Sequence, residues 1–463
     1  MSETYDILVI GSGESGKYLA WTMAAAGHRT AVIERSLVGG SCPNIACLPS
    51  KNIIHSAKVR SFTLRAAEFG IELESAVTSM RGVQARKQAM VDSLRQFHLD
   101  RYQASGAELI MGDARFVGER TVEVQLADGG HRTITGEKVF LNVGTHATLP
   151  HVPGLVSARP MTHVELLDVE RLPEHLIVIG GGYIGLEFAQ AMRRFGASVT
   201  VIEHGNQLAG QEDPEVGAAL LELFRDEGIT VHLQTRIWSV EGRSGSAVRV
   251  VTEGPDREAV IQGTDLLVGA GRTPNTSGIG LENAGVKLTD TGYIAVDEHL
   301  ATSADNVWAM GECAGSPQFT HVAFDDFRVV HDNLTGGNRT ITDRLVPYCM
   351  FTDPELARVG LNETEAKLLG IGYRVLSLPM ASVLRTRTLS EPRGFMKMLV
   401  AADSDEILGF TVFGAEASEL LAAVQTAMVG HIPYTELQKA IYAHPTAAEG
   451  LTFLLRTTPL GQR

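Results

Sequence analysis

Two cysteines five positions apart, Cys42 and Cys47, lie in the segment Gly39-Gly-Ser-Cys-Pro-Asn-Ile-Ala-Cys-Leu-Pro-Ser-Lys51. Thiols this close can cycle between dithiol and disulfide, supply half of a zinc site, or pack. On an ideal helix, residues five apart lie roughly 8–9 Å from each other, too far for a disulfide. Gly39, Gly40 and Pro43 argue for an irregular helix entry, where bridging becomes feasible and where a helix N-terminus favours the reactive thiolate. Zinc would need a second ligand pair, yet Cys313 and Cys349 are neither near each other nor flanked by suitable histidines. Redox chemistry is therefore expected of Cys42 and Cys47, packing of Cys313 and Cys349, and no metal site is expected.

Redox thiols need an electron source, and two glycine-rich turns offer one. The run Asp6-Ile-Leu-Val-Ile10 leads into Gly11-Ser-Gly13-Glu-Ser-Gly16, a helical stretch from Lys17 to Ala26, a stop at Gly27, and the strand-like Thr30-Ala-Val-Ile-Glu34. The unit recurs as Leu176-Ile-Val-Ile179, Gly180-Gly-Gly182-Tyr183-Ile-Gly185, a helix to about Phe195, and Ser198-Val-Thr-Val-Ile-Glu203. Strand, glycine turn, helix and a distal acid form the dinucleotide fingerprint: the glycines permit close backbone approach and the helix N-terminus stabilises the pyrophosphate. Glu34 lies 23 residues after Gly11 and Glu203 lies 23 after Gly180, each suited to accept from a ribose diol. Two copies imply two different dinucleotides. The Glu203 carboxylate would repel a 2′-phosphate and no arginine follows closely, so NADH is favoured over NADPH, with His204 the one counter-signal.

The frame around these residues is long. A chain of 463 residues should divide into about two to four domains. Its formal charge of −14 disfavours nucleic acid and anionic membranes as partners. The start of the chain has no basic leader and no apolar stretch is long enough for a bilayer span, which makes cytoplasm the expected compartment. Four cysteines are too few for a structural disulfide framework. Residues from about Ile54 to Ser105 read as helical, and 107–150 as short strands ending in Lys138-Val-Phe-Leu-Asn-Val-Gly144. Asp265-Leu-Leu-Val-Gly269, Gly271-Arg272-Thr-Pro-Asn275 and Val307-Trp-Ala-Met-Gly-Glu312-Cys-Ala-Gly315 follow, the last as strand, glycine, acid and helix start. From Val346 strands alternate with two helices as far as Arg463. No low-complexity linker interrupts the chain, so its domains should be tightly apposed.

In this order, and with Phe351-Thr-Asp-Pro-Glu-Leu-Ala-Arg-Val-Gly-Leu361 and His444-Pro-Thr-Ala-Ala-Glu449 at the end, the sequence resembles the class I pyridine nucleotide–disulfide oxidoreductases along essentially its whole length. The resemblance implies an α/β protein with two Rossmann-like domains, for FAD and NAD, and a C-terminal α+β dimerisation domain. It implies boundaries of 1–145 and 272–345 for the FAD domain, 146–271 for the nicotinamide domain and 346–463 for the interface domain. It also implies a homodimer in which each active site is completed by the partner. Cys47 resembles the thiol next to the flavin, whose thiolate makes a charge-transfer contact with oxidised FAD, and Cys42 the interchange thiol that meets substrate. His444 matches the acid–base contributed across the dimer, and Glu449 the residue that orients it. Lys51 and Glu187 match the ion pair beside the flavin ring, and Tyr183 the aromatic over the nicotinamide pocket. Gly40, Ser41, Gly144, Gly271 and Arg272 join the cofactor-contacting set. Glu312 stands where the family usually has Asp against the ribitol.

Within the family the stretch Gln211-Glu-Asp-Pro-Glu-Val-Gly217 and the opening glycine turn look most like mercuric reductases. The chain lacks their N-terminal metal domain and, between Leu451 and Arg463, their vicinal cysteines. Pro43 and Ala46 depart from the cysteine core of dihydrolipoamide dehydrogenase, and Glu203 disfavours glutathione reductase. The expectation is an NADH-dependent reductase of a small disulfide or another thiol-reactive oxidant. The alternatives are a dihydrolipoamide dehydrogenase of a 2-oxoacid dehydrogenase complex and a redox sensor with little turnover. His55 and Tyr442 are candidates for lining the substrate pocket.

Overall fold

The computed structural model describes residues 3–255 and 258–457; Met1, Ser2 and the end of the tail, 458–463, lie outside the described residues. The first sheet is built on Glu3–Ile10, which pairs in parallel with Thr30–Glu34 on one side and His131–Leu141 on the other. Leu8, Val9, Val32 and Val139 are fully buried, as the near-continuous apolar run of a strand covered on both faces requires. The late strand Val307–Ala309 adds to His131–Leu141, so the chain returns to this sheet after an excursion. A second parallel sheet holds Asp265–Val268, His175–Ile179, Ser198–Ile202 and Thr230–His232, in that order. The C-terminal region is a separate five-stranded sheet with antiparallel pairings, residues 348–414.

The repeated fingerprint takes the same form in both parallel sheets. The helix Glu14–Ala25 leaves Ile10 through Gly11–Gly13, and Tyr183–Phe195 leaves Ile179 through Gly180–Gly182. Gly11 has φ +97°, and a Cβ there would lie 2.3 Å from the Asn142 carbonyl oxygen, so only glycine lets the turn pass under the strand end. Gly27 likewise ends the first helix at φ +94°.

Two parts of the chain differ from the sequence expectation. The helical pattern of 54–105 is two helices, Cys47–Leu64 and Met80–Ser105, separated by a stop at Gly70 (φ +71°) and an exposed irregular stretch. Its polar composition hides the break. After Val307–Ala309 comes only a 3₁₀ turn, Gly311–Ala314, and the following α-helix starts at Thr320. The turn is pinned by Asp326, whose carboxylate accepts from Gly311 N at 2.6 Å and Ser316 Oγ at 2.7 Å and pairs with Arg344.

Packing sets the site. Ile53 and Ala57 of the Cys47–Leu64 helix share a core cluster with Leu186, Phe188 and Ala189 of the Tyr183–Phe195 helix, which joins the cysteine segment to the second fingerprint. The Thr320–Leu334 helix packs on Glu14–Ala25 through Val329, Val330, Leu19 and Ala20, and Ser15 Oγ donates to the Ala323 carbonyl at 2.6 Å. No helix among the described residues is long and apolar enough to cross a membrane.

Candidate active site

Cys42 and Cys47 fall on two different helices. Ser41–Ile45 stops at Ala46, whose backbone (φ −138°, ψ −103°) is far from helical, and a new helix begins at Cys47. The break replaces the single helix in which the thiols would be too far apart. Both cysteines carry free thiols, are partly buried and interact with each other through their side chains. Cys47 also contacts Thr320 Oγ1 at 3.2 Å. The bond from Cys42, the Thr320 hydroxyl and the Lys51 ammonium together hold the Cys47 thiol well below its usual range, against the opposing effect of burial. Cys42 moves the other way, because it gives its proton to that bond and is itself buried. The two shifts run in opposite directions, favouring the thiolate at Cys47 and the thiol at Cys42.

Thr320 has no counterpart among the residues that the sequence singles out. It is the first residue of a 15-residue helix, so a helix N-terminus and a hydroxyl converge on one sulfur. A signal exists in Pro317 shortly before a helical run, though nothing in the sequence ties that run to a cysteine 273 positions away. Thr320→Val should remove the hydroxyl bond to an anion, typically about 1.5–3 kcal/mol, and raise the thiol pKa by roughly one to two units. A spectroscopic titration of the thiolate reads this directly, and an unmoved midpoint would refute the role.

Both cysteines border one continuous cavity of about 1400 Å³ that also takes in Gly11, Gly13, Glu34, Gly40, Ser41, Lys51, Gly144, Gly182, Tyr183, Glu187, Gly271, Arg272 and Glu312. Lys51 Nζ meets Glu187 Oε2 at 2.7 Å, and the other carboxylate oxygen accepts Phe351 N at 2.8 Å. Glu187 is 4 % exposed, so removing the lysine would leave a buried charge unpaired. Glu312 is bonded to Thr145 and lies 3.2 Å from Arg272 Nε. Gly16, Gly180 and Gly185 stand behind the wall: a Cβ on Gly16 would lie 2.4 Å from the Gly11 carbonyl oxygen, and one on Gly185 2.4 Å from that of Gly180.

The two distal acids behave alike. Glu34 Oε2 accepts Ser12 N at 3.0 Å, and Glu203 Oε2 accepts Gly181 N at 2.6 Å. Each therefore grips the second residue of its own glycine turn. The other oxygens accept Ser36 N and Gly205 N; Glu203 keeps acceptor capacity, whereas Glu34 also accepts Ser12 Oγ and Leu37 N and has its four sites in use. Gly182 gives the sharper test of whether a dinucleotide fits. Its backbone is extended (φ −83°, ψ 176°), and a Cβ at this position would meet no protein atom within 4 Å. Nothing in the chain demands glycine there, yet a side chain would project into the cavity. That is the space a dinucleotide phosphate takes at a helix N-terminus, and the residues present fit the group.

Other expected residues lie elsewhere. His444 donates from Nδ1 to the Glu449 carboxylate at 2.9 Å, but its side chain is 62 % exposed and it does not border the cavity. His55 is exposed, and Tyr442 packs on the C-terminal core with its hydroxyl donating to Leu437 O; neither lines the cavity. Cys313 is fully buried, as expected of a packing residue. Cys349 also packs, against the C-terminal core, and in addition borders the cavity beside Tyr348. The Asp213, Glu215 and Glu363 carboxylates form the one group among the described residues with metal-like spacing. The buried Lys397 ammonium sits among them.

Comparison with known proteins identifies the class. Residues 5–326 match the family model for pyridine nucleotide-disulphide oxidoreductases, and residues 346–454 match the dimerisation domain of the same family. The chain belongs to this family of flavoprotein disulfide reductases, enzymes that depend on FAD and use NAD(P)H. It is 34 % identical to the probable pyridine nucleotide-disulfide oxidoreductase RclA of Escherichia coli, covering 97 % of this chain and 98 % of that one. It is 32 % identical to a mercuric reductase of Streptomyces lividans, covering 98 % and 96 %. Among solved structures, a Cu(II) complex of the HOCl-induced flavoprotein disulfide reductase RclA from Escherichia coli superposes with a TM-score of 0.89 at 32 % identity, over 98 % of this chain and 99 % of that one.

Proposed function

We propose that the protein carries electrons from NADH, through FAD, to the Cys42–Cys47 pair and on to a small disulfide or another thiol-reactive oxidant. The observation that carries this reading is the Cys42–Cys47 thiol pair, with Cys47 in contact with Thr320 Oγ1, which opens on the same cavity as both glycine turns and the Lys51–Glu187 pair. Residues 1–145 with 272–345 are read as the FAD domain, 146–271 as the nicotinamide domain and 346–463 as the interface domain, in keeping with the return of Val307–Ala309 to the first sheet. FAD held along the first glycine turn, beside Lys51 and Glu187, would supply the two-electron chemistry between nicotinamide and sulfur. The protein's own part begins with the reduced pair. Cys42, deprotonated by His444 of the partner subunit, attacks one sulfur of the oxidant's disulfide and expels the other as a thiolate, which takes the proton from the imidazolium. Cys47 then attacks Cys42, releasing the second thiolate and leaving the Cys42–Cys47 disulfide to be reduced again.

His444 supports this division of labour. Within one chain it is held by Glu449 but is open to solvent and away from the cavity, as a residue that serves a neighbouring subunit would be. His444→Ala should slow disulfide turnover by about 10²–10⁴-fold, the usual worth of a placed acid–base, and leave stopped-flow reduction by NADH unchanged. A matching loss in both steps would refute the assignment.

Preference for NADH rests on Glu203. Its buried carboxylate is fixed by two backbone amides, and a charge so held repels a 2′-phosphate. An NADH-oxidation screen with lipoamide, glutathione disulfide, Hg(II), Cu(II), hypothiocyanite and small quinones, repeated with NADPH, tests both the acceptor class and the donor. The metals belong there because relatives include mercuric reductases and a Cu(II) complex. NAD-dependent oxidation of dihydrolipoamide as the fastest reaction would favour the dehydrogenase-complex alternative.

A further inference from the structure

A histidine on the cavity wall has no part in the chemistry above. The short helix His163–Leu167 lies against the two helices of the cysteine segment, Ser41–Ile45 and Cys47–Leu64, and against the strand Asp265–Val268 of the second parallel sheet. It therefore stands where the two dinucleotide regions meet. A reciprocal cap fixes its start: the Thr162 hydroxyl accepts from Val164 N at 3.2 Å, and the Glu165 carboxylate accepts Thr162 N at 2.7 Å. His163 is the next residue, and with Leu167 one turn later it borders the cavity from a single helix face.

The residue is 6 % exposed, and among the described residues neither ring nitrogen has a hydrogen-bond partner. Neither is sealed inside the protein, so the cavity is what they face. Burial first, and the Arg272 guanidinium next, push the pKa of the imidazole down to about 4. At neutral pH the ring is uncharged, one nitrogen a donor and the other an acceptor. The polar groups around it are engaged elsewhere: Glu165 holds the cap, and Arg272 donates to the Thr145 carbonyl and pairs with Glu312. A phenylalanine or leucine would fill this place without burying polar atoms that lack partners.

The charge state selects the partner. A phosphate is matched by a cation or by the amides of a helix N-terminus, which the two glycine turns already offer. An uncharged imidazole is matched by a group that both gives and takes one hydrogen bond, as a hydroxyl does. Inward of their phosphates, FAD and NAD(H) carry hydroxyls on the ribitol and on the ribose beside the nicotinamide. Both would lie between the two turns, the region where His163 borders the cavity.

We propose that the His163 imidazole hydrogen-bonds a sugar hydroxyl at the inner end of a bound dinucleotide, either the ribitol of FAD or the ribose beside the nicotinamide. His163 is a binding residue and takes no part in moving electrons. The proposal rests on the assignment of FAD and NAD(H) to this cavity.

Two measurements on the FAD-loaded protein separate the sources. Release of FAD on dilution is followed by flavin fluorescence, and titration calorimetry gives the affinities for NAD⁺, ADP-ribose and ADP. ADP-ribose keeps the inner ribose but lacks the nicotinamide, and ADP lacks both. His163→Phe should weaken one source by about three- to tenfold, the net worth of one neutral hydrogen bond. The loss falls on FAD if the ribitol is the partner, or equally on NAD⁺ and ADP-ribose, with ADP unchanged, if the ribose is. His163→Leu should agree with it, which guards against a phenyl ring that fails to pack. His163→Gln restores a donor and an acceptor and should recover most of the loss. Unchanged affinity for FAD, NAD⁺ and ADP-ribose in both apolar variants would overturn the contact. So would a loss confined to NAD⁺, which places the ring at the nicotinamide, a loss shared by ADP, or no recovery in His163→Gln. An unaltered protein that binds neither FAD nor ADP-ribose would instead remove the dinucleotides from the cavity, and the contact with them.

Discussion

Cys47→Ser is expected to abolish the long-wavelength thiolate–flavin absorbance that anaerobic NADH produces in the unaltered protein, and to stop disulfide turnover. The prediction follows from the direction in which the pair is polarised. A hydrogen bond from Cys42, the Thr320 hydroxyl and the Lys51 charge all favour the anionic form of Cys47, and a serine hydroxyl in that place stays protonated and donates no charge to the flavin. The pH behaviour has a definite sign. Because the Cys47 pKa is depressed, the thiolate and its absorbance should persist well below the ordinary thiol value of about 8.5, and fade only as pH falls through the lowered value. Turnover should drop on the order of 10³-fold or more, as for other residues whose role has no substitute. The readout is the anaerobic spectrum across pH. An intact band in Cys47→Ser, or a band lost already near the ordinary thiol pKa, would sink the assignment of Cys47 as the flavin-side thiolate.

The parts of this site that rest on short-range spacing are legible from residues alone. A glycine turn, its helix and its distal acid lie within 24 positions of one another, and the structure repeats the same grip of acid on turn at Glu34 and Glu203. The cysteine spacing also foretells an irregular helix, although the break falls at Ala46 and not at the glycines before it. Lys51 and Glu187 are 136 residues apart and are joined in the sequence only through the family resemblance, because no local rule links two helices in different sheets. Thr320 leaves no trace there for a related reason. It acts through one contact reaching across the fold, and a lone threonine has no period or spacing to mark it. Cys349 reads as packing from its distance to any partner and does pack on the C-terminal core, and its strand also runs along the cavity. The exposed stretch between Leu64 and Met80 reads as helix because it carries no proline, but the helix stops at Leu64 and Gly70 closes the short 3₁₀ turn after it.

Cys42→Ser should separate the two halves of the reaction. The serine leaves Cys47 beside Thr320 and Lys51, so the thiolate–flavin absorbance should remain, now without a disulfide partner to remove it. The step that needs a second sulfur is lost: no mixed disulfide can form at position 42, and Cys47, already paired with the flavin side, has no route to substrate. Disulfide turnover should fall on the order of 10³-fold or more, whereas NADH oxidation by a small quinone that takes electrons from the flavin directly should survive. Measuring both acceptors on one preparation makes the result independent of folding, since a misfolded variant would lose the quinone reaction too. Retained disulfide reduction in Cys42→Ser would mean that substrate meets Cys47, and the polarity assigned to the pair would have to be reversed.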